Sequence, residues 1–258
     1  MQTYPSNLTE SQYRTILNII GDKRKRNHSL KDIFDAIFYL LKTGCQWRML
    51  PKDYPKWQLV YYYFSKWKND GTIEELNDVL RDTIRKNSGR NKSPSVGIID
   101  SQSVKTTRRG GEERGVDGGK KINGRKRHII TDTRGLLLSV KVHAANEHDS
   151  KAGFSVINSL QYRFERMKKI YADGGYRGEL VENVKAHFGL DMEISLRTDK
   201  ATPFTPLPKR WIVERTFSWL ENFRRLAKDY EYSVKSSEAM IHLAFIALMI
   251  NKINLIKI

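Results

Sequence analysis

A single cysteine, Cys45, stands in a chain of 258 residues. One thiol leaves no disulfide framework and no cysteine-based zinc site within the chain, so a reducing, cytoplasmic setting is expected. Long apolar runs are missing too. The most apolar stretch, residues 239–250, contains His242 and is followed by Asn251 and Lys252. It falls short of the roughly 20 residues that a membrane span needs, and is expected to be a buried C-terminal helix, with no membrane partner. The opening Met1-Gln-Thr-Tyr-Pro-Ser6 lacks the apolar segment of a secretory signal. Negative charge is the third scarcity: 29 Asp/Glu face 46 Lys/Arg, for a net charge of +17. Such a field attracts polyanions, nucleic acid foremost, although a membrane surface or an acidic protein satisfies the same charge.

What remains is ordinary globular material. Hydrophobic residues make up 39% and charged residues 29%, enough for a sizeable core in one large or two small domains. No internal repeat is present. The first ninety or so residues read as helices. Thr9-Glu-Ser-Gln12 is a capping box opening an amphipathic segment with Tyr13, Ile16, Leu17 and Ile20. Lys23-Arg-Lys-Arg26 is a basic linker. Ser29 caps a helix with Ile33, Ile37, Leu40 and Leu41 at helical period, and Thr43-Gly44 stops it. A segment bounded by Pro51 and Pro55 leads into Trp57-Gln-Leu-Val-Tyr-Tyr-Tyr-Phe64. Asp70-Gly71 ends that helix, and Thr72-Ile-Glu-Glu75 caps the next. Residues 1–92 hold 17 Lys/Arg against 10 Asp/Glu, a net of +7. They are expected to form a small helix-turn-helix-like DNA-binding domain. The helical spacing of Trp57, Tyr61, Phe64 and Trp67 equally suits a core, and at least half of them are expected there.

After the turn-rich linker Asn87-Ser-Gly-Arg-Asn-Lys-Ser-Pro94 the pattern changes to strands. Val96-Gly-Ile-Ile99, residues 127–131 and residues 136–143 read as strands, the last two joined through Thr133-Arg134-Gly135. A helix capped by Asp149-Ser150, a strand at 169–172, a helix near 178–187 and a strand at 192–196 follow. A long helix from about Pro208 to Tyr230 and an apolar helix from about Ser236 complete the order. This order predicts a mixed α/β sheet flanked by helices over residues 93–258.

Two of these strands run into aspartates, Ile98-Ile99 into Asp100 and Tyr171-Ala172 into Asp173. Ligands collect at the carboxyl ends of strands in open α/β sheets. Two close carboxylates repel unless a cation joins them, and hard Mg²⁺ or Mn²⁺ ions prefer carboxylate oxygens. Gly174-Gly175 beyond Asp173 leave room for a phosphate backbone to approach. Each aspartate alone also fits a turn or helix cap. Glu214, on the long helix, shares a polar stripe with Arg210, Ser218, Glu221 and Arg225. It is either a third carboxylate or half of a solvated Arg210–Glu214 pair at i,i+4. Asp132 beside its turn reads as structural. Glu147, His148 and Asp149 contain metal-binding residue types, but Asp149 is accounted for as a helix cap. His128 and His143 read as locally hydrogen-bonded histidines.

The glycine-rich segment from Lys105 to Arg127 carries 9 Lys/Arg and 3 Asp/Glu. Beside carboxylates that need a phosphate substrate, its charges suit phosphate contacts. Lys105, Arg108, Arg109, Lys120, Lys121, Arg125, Lys126 and Arg127 are the expected contacts here, with Arg177, Arg210, Arg224 and Arg225 elsewhere.

Several motifs together resemble a known family. They are Ile99-Asp-Ser-Gln-Ser-Val-Lys105, Asp117-Gly-Gly-Lys-Lys121, Gly124-Arg-Lys-Arg-His128, Tyr171-Ala-Asp-Gly-Gly-Tyr-Arg177, Trp211-Ile-Val-Glu-Arg-Thr-Phe-Ser-Trp219 and Arg224-Arg-Leu-Ala-Lys-Asp-Tyr-Glu231. With Trp47-Arg-Met-Leu-Pro51 and the tryptophan-tyrosine helix, they resemble the DDE transposases of bacterial insertion sequences, of the IS-five type. The resemblance spans nearly the whole chain. It implies a ribonuclease-H-like core of five mixed strands, with Asp100 and Asp173 on adjacent strands and Glu214 on a following helix. It also implies two Mg²⁺ or Mn²⁺ ions held by these three residues, Asp100 bridging both. The wider family's tyrosine-arginine-glutamate-lysine signature is matched only at Arg210 and Glu214, because Leu207 and Glu221 occupy the other two places. The implied partners are double-stranded DNA, both terminal inverted repeats and target, and a second copy of the chain, as homodimer or higher assembly at the nucleoid. A DNA-binding protein without catalysis and a nuclease that only hydrolyses are the alternatives.

Overall fold

The structure, a computed structural model, describes residues 3–195 and 209–255. In chain order the α-helices are α1 (Glu10–Ile20), α2 (Leu30–Thr43), α3 (Trp57–Asn69), α4 (Thr72–Asn87), α5 (Asp149–Asn158), α6 (Glu179–Phe188), α7 (Arg210–Glu221) and α8 (Val234–Leu255). The strands are β1 (Val96–Lys105), β2 (Gly115–Asp117), β3 (Ile122–Thr131), β4 (Leu137–Ala144), β5 (Lys169–Asp173) and β6 (Asp191–Ser195). By contacts the chain divides into two compact units. Met1–Arg90, Leu220–Tyr230 and Lys235–Ile258 form one, and Asn91–Trp219 with Glu231–Val234 form the other. Contact thus groups the C-terminal helix with the first ninety residues, whereas the sequence boundary had kept it with the strands.

The helical unit follows its punctuation closely. Thr9 and Ser29 each complete a reciprocal capping box, with Gln12 and Asp32, and Gly44 ends α2 in the left-handed conformation. Any side chain at Gly44 would also press within 3.1 Å of Arg224. One cap differs: α4 begins after Gly71, and the capping oxygen belongs to Asp70, which accepts from the Thr72 backbone N–H at 3.1 Å. Ile33, Phe34, Ile37, Leu40 and Leu41 of α2 are buried, as are Val60, Phe64 and Trp67 of α3. Of the four aromatics weighed for the core, Phe64 and Trp67 are inside, Trp57 is half-buried and Tyr61 is exposed. The α8 helix is long and apolar enough to cross a membrane, but 72% of its apolar stretch is buried inside the protein. Within its own unit Gln12 donates to Asn251 at 2.7 Å and Lys68 to Ser236 at 3.2 Å.

The second unit is a sheet with helices. Its five longer strands lie in the order β4-β3-β1-β5-β6, and only β3 runs against the others. The sheet is mixed, and β1 and β5, which carry Asp100 and Asp173, are neighbours, as the resemblance implied. A sixth strand, β2, pairs with the first residues of β3. It orders part of the glycine-rich segment because Asp117 accepts from the Ser103 hydroxyl at 2.6 Å and from the Lys120 N–H at 3.0 Å. Ile99, Ile130, Val156, Ile170, Tyr176, Leu180 and Val184 belong to a core cluster shared by sheet and helices. Asp132 is structural, as read: its carboxylate accepts from the N–H groups of Arg134 and Leu136. The expected helix from 208 to 230 is shorter. α7 ends at Glu221, and a 3₁₀ turn, Arg224–Leu226, follows extended Phe223, whose side chain is buried. Leu196 and Leu207 lie outside the described residues.

Candidate active site

β1 does not end at the first aspartate. It continues to Lys105, but its parallel pairing with β5 covers only Val96 to Ile98. Beyond that point β1 pairs with β3 alone, with Asp100 opposite Ile129. Asp100 therefore lies where β5 parts from β1, and Asp173 is the last residue of β5. The two line one small cleft with Ser195 and Arg210. Such a parting of parallel strands leaves backbone and side-chain polar groups turned toward a ligand. Asp173 accepts from the Gly175 N–H at 2.9 Å, which holds the Gly174–Tyr176 turn against it. A Cβ at Gly175 would stand 3.0 Å from the Asp173 oxygen, so glycine keeps that approach open. Burial pushes Asp100 up to about 7, and the nearby Asp173 charge adds to it. The Ser101 N–H, Arg210 and Lys120 pull the other way.

Glu214 joins this pair through Arg210. The Arg210 guanidinium lies 3.6 Å from the Asp173 carboxylate and 3.1 Å from that of Glu214. The second contact is an ion pair without hydrogen-bond alignment. One turn of α7 thus carries a cation and an anion toward the end of β5. The turn between β3 and β4 anchors that helix: Arg215 donates to the Arg134 carbonyl at 3.1 Å, and Gly135 packs beneath Thr216 and Trp219. Of the two readings of Glu214 weighed from sequence, the i,i+4 pair is the one that forms, and its Arg210 also touches Asp173. Among the described residues no three His, Cys, Asp or Glu side chains are yet gathered closely enough to share one metal ion. The donor chemistry nevertheless suits a hard divalent cation, because Asp100 and Asp173 line one cleft and interact electrostatically.

Asp149 is the residue that sequence reasoning passed over. His148, not Asp149, is the N-cap of α5. Asp149 instead accepts from the Ser101 hydroxyl at 3.0 Å and from Lys126 at 2.9 Å. Its other oxygen would be 3.4 Å from a Cβ at Gly175. Asp149 therefore sits behind the backbone that follows each of the two strand aspartates. Next to it, His128 and His143 share a 2.7 Å hydrogen bond in the interior, and the Tyr176 ring stands edge-on to His128. Burial, reinforced by His143, lowers His128 to about 3, so its ring is neutral near pH 7. The available signal was the adjacency of Glu147, His148 and Asp149, which helix capping explained well enough to hide.

The basic residues divide by burial. Lys105, Arg108, Arg109, Lys120, Lys121, Arg177 and Arg224 are exposed, and Arg210 is half-buried. Arg125, Lys126, Arg127 and Arg225 are inside the protein. Arg125 donates to the carbonyls of Glu112, Glu231 and Tyr232, tying the glycine-rich segment to the connection before α8. Lys126 is committed to Asp149 and the Glu147 carbonyl, and Arg225 donates to the Cys45 carbonyl. Burial withdraws these four from the DNA-facing surface. The burial of β3 from Gly124 onward was hidden by their charge, which read as surface.

Known families and proteins match parts of the chain. The family model described as "Transposase DDE domain" matches residues 91–250. A second, "Putative transposase of IS4/5 family", matches residues 8–77. The chain is 32% identical over 133 residues to the putative transposase for insertion sequence element IS402 of Burkholderia cepacia, covering 48% of this chain and 60% of that one. The catalytic core domain of BIV integrase aligns at 15% identity with a TM-score of 0.36, over 60% of this chain and 82% of that one. A family match over more than half its length makes this chain a member of the transposase DDE domain family.

Proposed function

We propose that the chain is an insertion-sequence transposase, which cuts DNA at the element's terminal inverted repeats and joins the freed 3′-hydroxyl ends to target DNA. The observation that carries this reading is that Asp100 and Asp173 line one cleft at the parting of β1 and β5, where Arg210 contacts both Asp173 and Glu214. Asp100, Asp173 and Glu214 would hold Mg²⁺ or Mn²⁺, two ions in all. Bound there, divalent cations acidify the attacking hydroxyl and stabilise the leaving oxygen of an in-line displacement.

The protein's own groups do the rest. Asp100, just past the last β1–β5 pair, and Asp173, at the end of β5, line one cleft, an anionic floor present before DNA arrives. Glu214, with 52% of its side chain exposed, can swing toward that floor once Arg210 lets go. Arg210 is then free to meet a phosphate, which a planar guanidinium binds with two parallel hydrogen bonds. Exposed Lys105, Arg108, Arg109, Lys120, Lys121 and Arg177 neutralise neighbouring phosphates. The helical unit recognises the DNA ends. Two ends must be held at once, so the working form is a homodimer or larger assembly on DNA, at the nucleoid.

The test is a strand-cleavage and joining assay with Mg²⁺, using a duplex carrying the DNA that flanks the coding region. The native chain is expected to nick at the repeat boundary and to join the 3′ end to a second duplex. Asp100→Asn is expected to lose both by at least about a hundredfold. Cleavage without joining would reduce the reading to a nuclease. Undiminished activity in Asp100→Asn would remove the proposed centre.

A further inference from the structure

Alone among the described α-helices, α3 carries no aspartate or glutamate. Its buried side is Val60, Phe64 and Trp67. The opposite side exposes Gln58, Tyr61, Tyr62, Lys66 and Asn69. Gln58, Tyr62 and Asn69 are four and seven residues apart, which sets them in one stripe along the helix. Tyr62 is 57% exposed, and Tyr61, 42% exposed, also stands edge-on to Trp47. At the start of the helix Lys56 is exposed, and the exposed Arg48 guanidinium is held over the Trp57 ring at 5.3 Å. At its far end Lys66 leans on Asp70 at 2.9 Å.

The neighbouring helices of the same unit offer no equivalent surface. α4 presents Glu74, Glu75, Asp78 and Asp82, and its Arg81 is buried against the last two. α1 pairs Arg14 with Glu10 on its outer side, and most of α2 is interior. A phosphate backbone is repelled by the first and finds no excess charge on the second. α3 spans about 20 Å at 1.5 Å per residue, enough to cross a major groove about 12 Å wide. Amide side chains on its stripe suit the paired donor and acceptor of an adenine edge, and tyrosine supplies a hydroxyl and an apolar face.

We propose that α3 is the helix that enters the DNA major groove. Gln58, Tyr62 and Asn69 face the base edges, and Arg48, Lys56 and Lys66 meet the flanking phosphates. This rests on the transposase reading and narrows its DNA recognition to one helix face. The occupant is duplex DNA and not a second chain or an acidic protein. Charge of one sign favours any polyanion, but the amide and hydroxyl groups between the cations match a groove floor.

The full chain is tested in EDTA, where cleavage cannot occur, by fluorescence anisotropy. One probe duplex carries the DNA flanking the coding region, and the other is a shuffled duplex of the same composition. The native chain is expected to prefer the first. Gln58→Ala and Tyr62→Ala should each reduce that preference roughly 5- to 100-fold while leaving shuffled-duplex affinity within about twofold. Lys56→Ala should weaken both complexes equally and lower the salt slope by about one. Circular dichroism melts verify that each variant is folded. Variants that melt like the native chain and keep its full preference overturn this assignment alone. A native chain that does not distinguish the duplexes overturns it together with the recognition of DNA ends. Loss of self-association in Tyr62→Ala with end preference intact would make the face a chain–chain contact, and would also overturn it.

Discussion

At the scale of single residues, Asp100 and Arg210 answer the same electrostatic problem. Two strand-borne carboxylates are packed together, and burial lifts Asp100 to about 7. A carboxyl group whose folded pKa lies above its unfolded value binds more protons when folded, so its contribution to stability declines as pH rises between the two. In the metal-free chain, thermal melts should show Asp100→Asn gaining stability relative to native from about pH 4 to about pH 7, with no further gain above. An equal difference at both ends of that range would contradict the burial of this charge. Arg210 supplies the opposing charge through contacts with Asp173 and Glu214. Partly exposed pairs of this kind contribute up to about 1 kcal/mol. Titration calorimetry without DNA should therefore find Mn²⁺ binding to Arg210→Ala about two- to fivefold tighter than to native, and weaker binding would refute competition. Asp100 and Asp173 were legible because apolar runs led straight into them. Asp149 was not, because the position that makes a good cap also makes a good hydrogen-bond acceptor for Ser101 and Lys126.

At the scale of elements, the helix that carries Glu214 is only as well placed as the turn beneath it. Gly135 has φ +81°, and a Cβ there would come 2.6 Å from the Thr216 hydroxyl and 3.1 Å from Trp219. Gly135→Ala should cost about 1–3 kcal/mol in thermal or denaturant unfolding. It should also depress strand joining at temperatures where the variant is still folded, because α7 must tilt away. A variant with native stability and native joining would show that this contact does not position the helix. Thr133-Arg134-Gly135 was recognisable as a turn from local chemistry, since only nearby residues define it. Its role under α7 was not, because 81 residues separate Gly135 from Thr216 and no local pattern records that distance. The same limit explains β3, where Arg125, Lys126 and Arg127 looked like surface. Their burial depends on partners such as Glu231 and Asp149 that a short window cannot contain. Caps at Thr9, Ser29 and Gly44 were legible for the opposite reason: every partner lies within four residues.

At the scale of the whole molecule, the net charge of +17 makes salt the first variable of any binding measurement. If six to ten phosphates are neutralised, affinity for duplex DNA should fall roughly 10³- to 10⁵-fold between 50 and 200 mM salt. Anisotropy titrations over that range measure the slope, and a flat response would remove phosphate contact as the main source of affinity. The course of the chain carries a further consequence. The helical unit is assembled from residues 1–90 together with 220–230 and 235–258. Its earlier helices α1 and α3 therefore lack Asn251 and Ser236 of the largely buried α8 until that helix clears the ribosome. A message broken before that point yields a product with a greasy, unfinished face, prone to capture by chaperones and proteases rather than to idle occupation of DNA.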